Sequence, residues 1–129
     1  AKGGEKLMAG HIYIAQGGKH LLIEKAYDGF YLVVDDAPPV NNCKPAVDVL
    51  FNSVATVFNG RVLAIVMTGM GRDGTEGIKA LKQKQCWCMV QDKASSVVWG
   101  MPGSVFEAGL ADEVVPLNQL SHRITELVF

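Results

Sequence analysis

Val62-Leu63-Ala64-Ile65-Val66-Met67-Thr68-Gly69-Met70-Gly71-Arg72-Asp73-Gly74 decides how this chain folds. The apolar residues from Val62 to Met67, inside an Arg61 to Thr68 run, suit a strand buried on both faces of a parallel sheet. Three glycines in the six residues from Gly69 to Gly74 then let the backbone turn sharply at the carboxyl end of that strand. The spacing beyond predicts a helix from about Asp73 to Gln83 with Ile78 and Leu81 inward, and a second buried strand at Cys86 to Gln91. Strand, helix and strand in about 30 residues make a βαβ unit.

Downstream, a loop holding Ala94-Ser95-Ser96 leads to a short helix near Pro102 to Ala108, then through Gly109 to a strand near Glu113 to Val115. The closing segment from Pro116 places Leu117, Leu120, Ile124, Leu127 and Val128 on one helical face. Upstream, apolar residues between Pro45 and Phe58 recur at three- and four-residue intervals until Gly60, which predicts an amphipathic helix opened by Pro45. Asp35 to Lys44, with Pro38-Pro39 and Asn41-Asn42, reads as a loop. Leu21 to Ala26 and Phe30 to Val34 flank Tyr27-Asp28-Gly29 as a hairpin. His11 to Ala15 reads as another short strand before a Gln16 to Lys19 turn. The fold class expected is α/β, a mostly parallel sheet with an antiparallel hairpin.

Composition sets limits on function. With 129 residues, 49% hydrophobic and 19% charged, the chain is a single domain able to build one core. Twelve Lys plus Arg against thirteen Asp plus Glu, with no basic block, argue against nucleic acid as a partner. No apolar run approaches the ~20 residues of a membrane span, and the first residues show no signal-peptide pattern, so a cytoplasmic protein without membrane insertion is expected. Three cysteines, Cys43, Cys86 and Cys88, exclude a disulfide framework. Cys86 and Cys88 share one strand face but lack a second ligand pair, and read as buried small apolar residues rather than metal ligands.

Chemistry, if the chain carries any, belongs to the Thr68 to Gly74 turn, because open α/β sheets bind ligands at this edge. Asp73 admits two readings. It caps its own helix, with Glu76 completing a capping box, or it is the third member of a Ser-His-Asp triad, orienting an imidazole. The second needs room beside the carboxylate for a ring. Gly69 to Gly74 is also literally G-x-G-x-x-G with Asp92 about twenty residues on, a dinucleotide pattern. A carboxylate at the helix start opposes pyrophosphate binding there, so a dinucleotide-binding domain remains a remote alternative.

The blocks Gly10-His11-Ile12-Tyr13-Ile14-Ala15, His20-Leu21-Leu22, Pro38-Pro39-Val40-Asn41, Pro45-Ala46-Val47-Asp48-Val49-Leu50-Phe51, Thr68 to Gly74, Gln91 to Val98, Gly100-Met101-Pro102 and Ala108 to Val114 occur in one order. With them the chain resembles the CheB-type chemotaxis receptor protein-glutamate methylesterases from about Gly10 to Leu117. The resemblance implies a doubly wound α/β serine hydrolase that releases methanol from glutamate methyl esters on chemoreceptors, and in some members deamidates glutamine. It implies no metal and no organic cofactor. The family's catalytic aspartate falls on Asp73, and Gly69, Met70 and Gly71 form the active-site loop where backbone amides hold an oxyanion.

In this family the nucleophilic serine lies in a glycine-flanked turn and the histidine follows a later strand, both upstream of the residues matched here. Ser53, Ser95, Ser96, Ser104 and Ser121 lack that turn, and His11, His20 and His122 have no nucleophile to serve. Residues 1–129 therefore read as the C-terminal portion of one methylesterase catalytic domain, with N-terminal strands of the family domain missing and no esterase activity expected of these residues alone. Its expected partners are the cytoplasmic region of a methylated chemoreceptor and the missing N-terminal part, on the same or another chain. The alternative of a different class is a non-catalytic remnant that binds a receptor or partner. Stripped of neighbouring strands, Val62 to Val66 and the Pro45 to Phe58 helix would expose apolar surface.

Overall fold

A computed structural model describes residues 1–129. An antiparallel hairpin, β1 (His20–Ala26) and β2 (Gly29–Asp35), precedes helix α1 (Val47–Val57). A parallel sheet of order β3 (Leu63–Val66), β4 (Trp87–Gln91), β5 (Glu113–Val115) then alternates with α2 (Thr75–Gln83) and α3 (Gly100–Glu107), and α4 (Leu117–Val128) closes the chain. This is the α/β architecture expected, parallel sheet and hairpin included.

Period-two alternation sends successive strand residues to opposite faces, and different helices cover them. Ala64, Val66, Cys88 and Val90 pack with Ala55 of α1, Ile78 and Leu81 of α2, and Val105 of α3. On the other face Met89 and Val115 meet Leu120 of α4, flanked by Leu63, Ile65 and Ile124. Helices on both faces give the doubly wound arrangement, and they explain why Cys88 to Gln91 of the central strand are all buried. Burying Ile78 and Leu81 stabilises the fold by about 1.5–3 kcal/mol each. Gly77 lets α1 and α2 approach closely: a Cβ there would stand 2.5 Å from the Cβ of Phe51.

Several expectations are corrected. His11 to Ala15 forms no strand, because the one backbone contact it receives, from the Ala1 amine to the Ile14 carbonyl, is not continued into a ladder; Ile12 and Ile14 are 91% and 75% exposed. The segment that does pair is earlier: the Gly4 and Leu7 amides donate to Leu32 and Phe30, and Leu32 returns a bond to Glu5, laying residues 4–7 along β2. In the hairpin, Tyr27 and Asp28 make the turn and the positive φ falls on Gly29 at 144°. Helix α1 starts at Val47, two residues after Pro45, since the acceptor that caps it, the Asp73 carboxylate, comes from elsewhere in the fold. On α4 only Leu120 is buried, with Ile124 partly so; Leu117, Leu127 and Val128 face outward.

The accessible surface is 7854 Å². A compact monomer of this mass exposes roughly 6,700 Å², so about 1,200 Å² more is open than size alone requires. The outer edge of β3 has no neighbouring strand. Beside it Arg61, Val62, Leu63, Gln85, Trp87, Leu127 and Val128 line a groove of about 520 Å³. No helix is long and apolar enough to cross a membrane.

Candidate active site

The turn after β3 is held from behind. The Thr68 amide donates to Oε1 of the wholly buried Gln91 at 2.9 Å, and Nε2 of Gln91 donates to the Ser95 carbonyl at 2.8 Å. The Thr68 hydroxyl donates to the Val98 carbonyl and accepts from the Val98 amide. Gly69 donates to Val98 and accepts from Met101 at the start of α3. Gly100 allows this contact, because a Cβ there would lie 2.8 Å from both Gly69 O and Gly71 N. The front of the turn faces solvent: Met70 is 80% exposed, and the amides of Met70, Gly71, Arg72 and Asp73 donate no hydrogen bond within the chain. Free N–H groups on a braced turn are one ingredient of an oxyanion site.

Asp73 lies just beyond, buried to 3% exposure. It does not cap α2. That helix has Gly74 at its N-cap with no side-chain cap bond, and Glu76 pairs with Lys79 instead of closing a capping box. Asp73 caps α1: Oδ2 accepts from the Val47 amide at 2.6 Å and Oδ1 from the Asp48 amide at 3.0 Å. Asp48 returns the favour to α2, its Oδ1 accepting from Gly74 at 3.0 Å and Gly77 at 2.7 Å. Nδ2 of Asn41 bridges the two carboxylates, 2.7 Å from Asp48 Oδ2 and 3.1 Å from Asp73 Oδ1. Each carboxylate thus sits at the positive end of the other's helix, where backbone donors and the helix dipole stabilise negative charge. A carboxylate oxygen accepts two bonds; Asp73 Oδ1 has two N–H donors and Oδ2 one, and the thiol of Cys43 also lies within hydrogen-bond reach of this carboxylate.

Asn41 and Asp48 were not singled out by the sequence reading. Asp48 carried a signal, because spacings of three and four put it on the same helical face as the core residues Phe51 and Ala55. Asn41 carried none beyond its place in a turn-rich loop. Cys43 lies beside the pair, and burial together with the Asp73 and Asp48 carboxylates pushes its thiol above the ordinary value.

The other chemical candidates stand apart from the turn. His20, 1% exposed, bridges the Pro38 carbonyl and the Ala46 amide. His11 contacts the Ala9 carbonyl, and the exposed His122 pairs with Glu126. The Ser53 hydroxyl joins Ile23 and Leu50, Ser95 is tied to Asp92, and Ser104 to Thr75. Cys86 and Cys88 lie in the apolar core; burial foremost, with Asp112 adding to it, pushes the Cys88 thiol up to about 12. The dinucleotide pattern fails on geometry, since the Asp48 carboxylate takes the α2 amides a pyrophosphate would need, while Asp92 holds Ser95. The largest groove, about 770 Å³ between β1 and α1, contains none of the turn residues.

A parallel α/β sheet with a braced, glycine-lined turn and a buried carboxylate at its carboxyl edge places the candidate site where open α/β folds bind their ligands. The sequence profile described as CheB methylesterase matches residues 1–124, and the chain belongs to that family. It is 54% identical over 124 residues to a protein-glutamate methylesterase/protein-glutamine glutaminase of Maricaulis maris, and 46% identical over 127 residues to one of Xanthomonas oryzae. These matches cover 96% and 98% of this chain but 31% and 36% of the relatives, so the chain spans about a third of their length. The crystal structure of the Thermotoga maritima CheB methylesterase catalytic domain superposes with a TM-score of 0.94 at 35% identity, over 98% of this chain and 67% of that one.

Proposed function

We propose that these residues form the C-terminal portion of a protein-glutamate methylesterase catalytic domain, hydrolysing glutamate methyl esters on the cytoplasmic region of chemoreceptors and deamidating glutamine there. Asp73 orients a histidine contributed from outside residues 1–129, and the Met70 and Gly71 amides receive the oxyanion. A serine hydroxyl, relieved of its proton by that histidine, attacks the ester carbonyl; methanol leaves as the imidazolium returns the proton, and water releases the acyl group by the same steps. Asp73 stays ionised, holds the imidazole in one tautomer and stabilises its protonated form.

The observation that carries this reading is the run of free amides from Met70 to Asp73 on a turn braced by Val98 and Gly100, ending at a buried carboxylate. The surplus exposed surface and the unpaired edge of β3 support a domain completed by further strands. The test is methanol release from methylated receptor by the polypeptide that joins these residues to the serine and histidine. Asp73→Asn is expected to lower kcat by about three to four orders of magnitude, by analogy with serine proteases. Release at the wild-type rate would remove Asp73 from the mechanism.

A second reading, a non-catalytic module that binds a receptor or partner, draws on one observation: Asp73 already has a structural task at the start of α1. Under it, joining the upstream region would restore no methanol release, while binding to receptor would persist.

A further inference from the structure

Resting on the methylesterase reading, we propose that Asn41 and Asp48 are positioning residues for Asp73, Asn41 by fixing which carboxylate oxygen meets the histidine and Asp48 by fixing the turn that carries it. Rotation of a carboxylate about its last bond is soft and roughly two-fold. If Oδ1 and Oδ2 each had an open acceptor position, an imidazole N–H could settle on either, in two orientations. The Asn41 amide removes that ambiguity: with the Asp48 amide it fills Oδ1 with N–H donors, so that Oδ2, which has one, is the oxygen left for an imidazole N–H, the weak donor Cys43 being the group it displaces if the thiol lies there. The amide does so from an exposed loop residue at φ 55°, a conformation asparagine tolerates better than most side chains.

Asp48 works through the backbone. By holding Gly74 and Gly77 it anchors the residues that follow Asp73, so the side chain and the main chain of Asp73 are gripped from opposite directions. Productive geometry in a triad tolerates displacements of well under 1 Å. The bridge is also electrostatic, since a neutral donor between two carboxylates offsets their repulsion without adding charge. The groups facing Asn41 are Cys43 on its own loop, Asp48 on α1, Asp73 and Arg72 on the turn, and Glu76 and Lys79 on α2, several of them around a cleft of about 260 Å³.

Asn41→Asp keeps the size and backbone tolerance of the residue but replaces its donor with an acid that can donate only when protonated. In the active, serine- and histidine-bearing polypeptide this variant is expected to lose at least tenfold in kcat at pH 8. KM for methylated receptor should stay within twofold. The deficit should shrink toward threefold, relative to wild type at the same pH, by pH 5, where proton uptake between the flanking carboxylates restores a donor. Asn41→Gly should show a similar loss with no recovery at pH 5, and a melting temperature within about 3 °C of wild type. A purely structural role would appear as a lowered melting temperature in both variants, with kcat per folded molecule unchanged. Wild-type kcat in both variants, or a loss that is flat with pH in Asn41→Asp, would overturn the inference. Asp73→Asn run in parallel separates the two levels: if it retains wild-type turnover, the methylesterase reading of Asp73 falls, and this inference with it.

Discussion

Replacing Asp48 by alanine tests the crossed caps directly. The substitution leaves the Gly74 and Gly77 amides, both on buried residues, without their carboxylate. A hydrogen bond to a charged partner contributes about 1.5–3 kcal/mol, and a lost cap typically costs about 0.5–2 kcal/mol. Two such bonds set an upper range of roughly 3–6 kcal/mol. Water entering through the adjoining cleft beside Arg72 and Lys79 re-satisfies part of that, so the expectation is about 3 kcal/mol. For a chain of 129 residues this lowers the melting temperature by roughly 10 °C. Asp48→Asn keeps an oxygen for both amides and should lose about 1 kcal/mol. Urea unfolding of this chain, followed by the fluorescence of Trp87 and Trp99, measures both variants. An alanine variant within 1 kcal/mol of wild type, or equal to the asparagine variant, would show that the Asp48 carboxylate is not what secures the start of α2.

Three further outcomes follow from the geometry. Gly100→Ala places a methyl group 2.8 Å from Gly69 O and Gly71 N, and should cut methanol release in the active polypeptide at least tenfold while circular dichroism stays native; an unchanged rate would place the oxyanion site elsewhere. With the Cys88 thiol pushed up to about 12 and Cys86 buried, iodoacetamide at pH 8 should modify Cys43 first and slowly, and all three thiols only after unfolding. Mass spectrometry showing early modification of Cys88 would contradict the packing of β4. Glu113, held below its ordinary value of 4.5 by the Arg123 guanidinium foremost and the Trp87 indole N–H, contributes stability that is present above pH 4.5 and lost as pH falls through its lowered folded value. The stability gap between wild type and Arg123→Ala, read from melting temperatures, should therefore be widest near neutrality and close below pH 4; a gap independent of pH would dismiss the ion pair.

The elements that the sequence revealed are those whose patterns report burial on their own. Leu63 to Val66 and Cys88 to Val90 are apolar because both faces of their strands are covered, and Ile78 and Leu81 recur because one face of α2 meets the sheet. The misread strand at His11 to Ala15 has the same alternation, but a ladder depends on a neighbour that no local pattern announces. The site was legible as a place and illegible as a network. Glycines and a carboxylate marked the turn, yet the partners of Asp73 lie 25 to 32 residues away, and a cap contributed by a different helix leaves no periodic trace. Helix-start rules assign a carboxylate to the helix it precedes; tertiary packing gave Asp73 to α1 instead, and left the start of α2 to Asp48.

The crossed caps have a consequence for how sequences of this family are compared. Since α1 starts on an acid that precedes α2, and α2 starts on an acid of α1, selection for folding alone is enough to keep both acids in place. A descendant that had lost its nucleophile would go on displaying Asp73 unchanged. Survival of that aspartate is therefore a record of architecture, and the presence of chemistry in a homologue is better judged from its serine and its histidine.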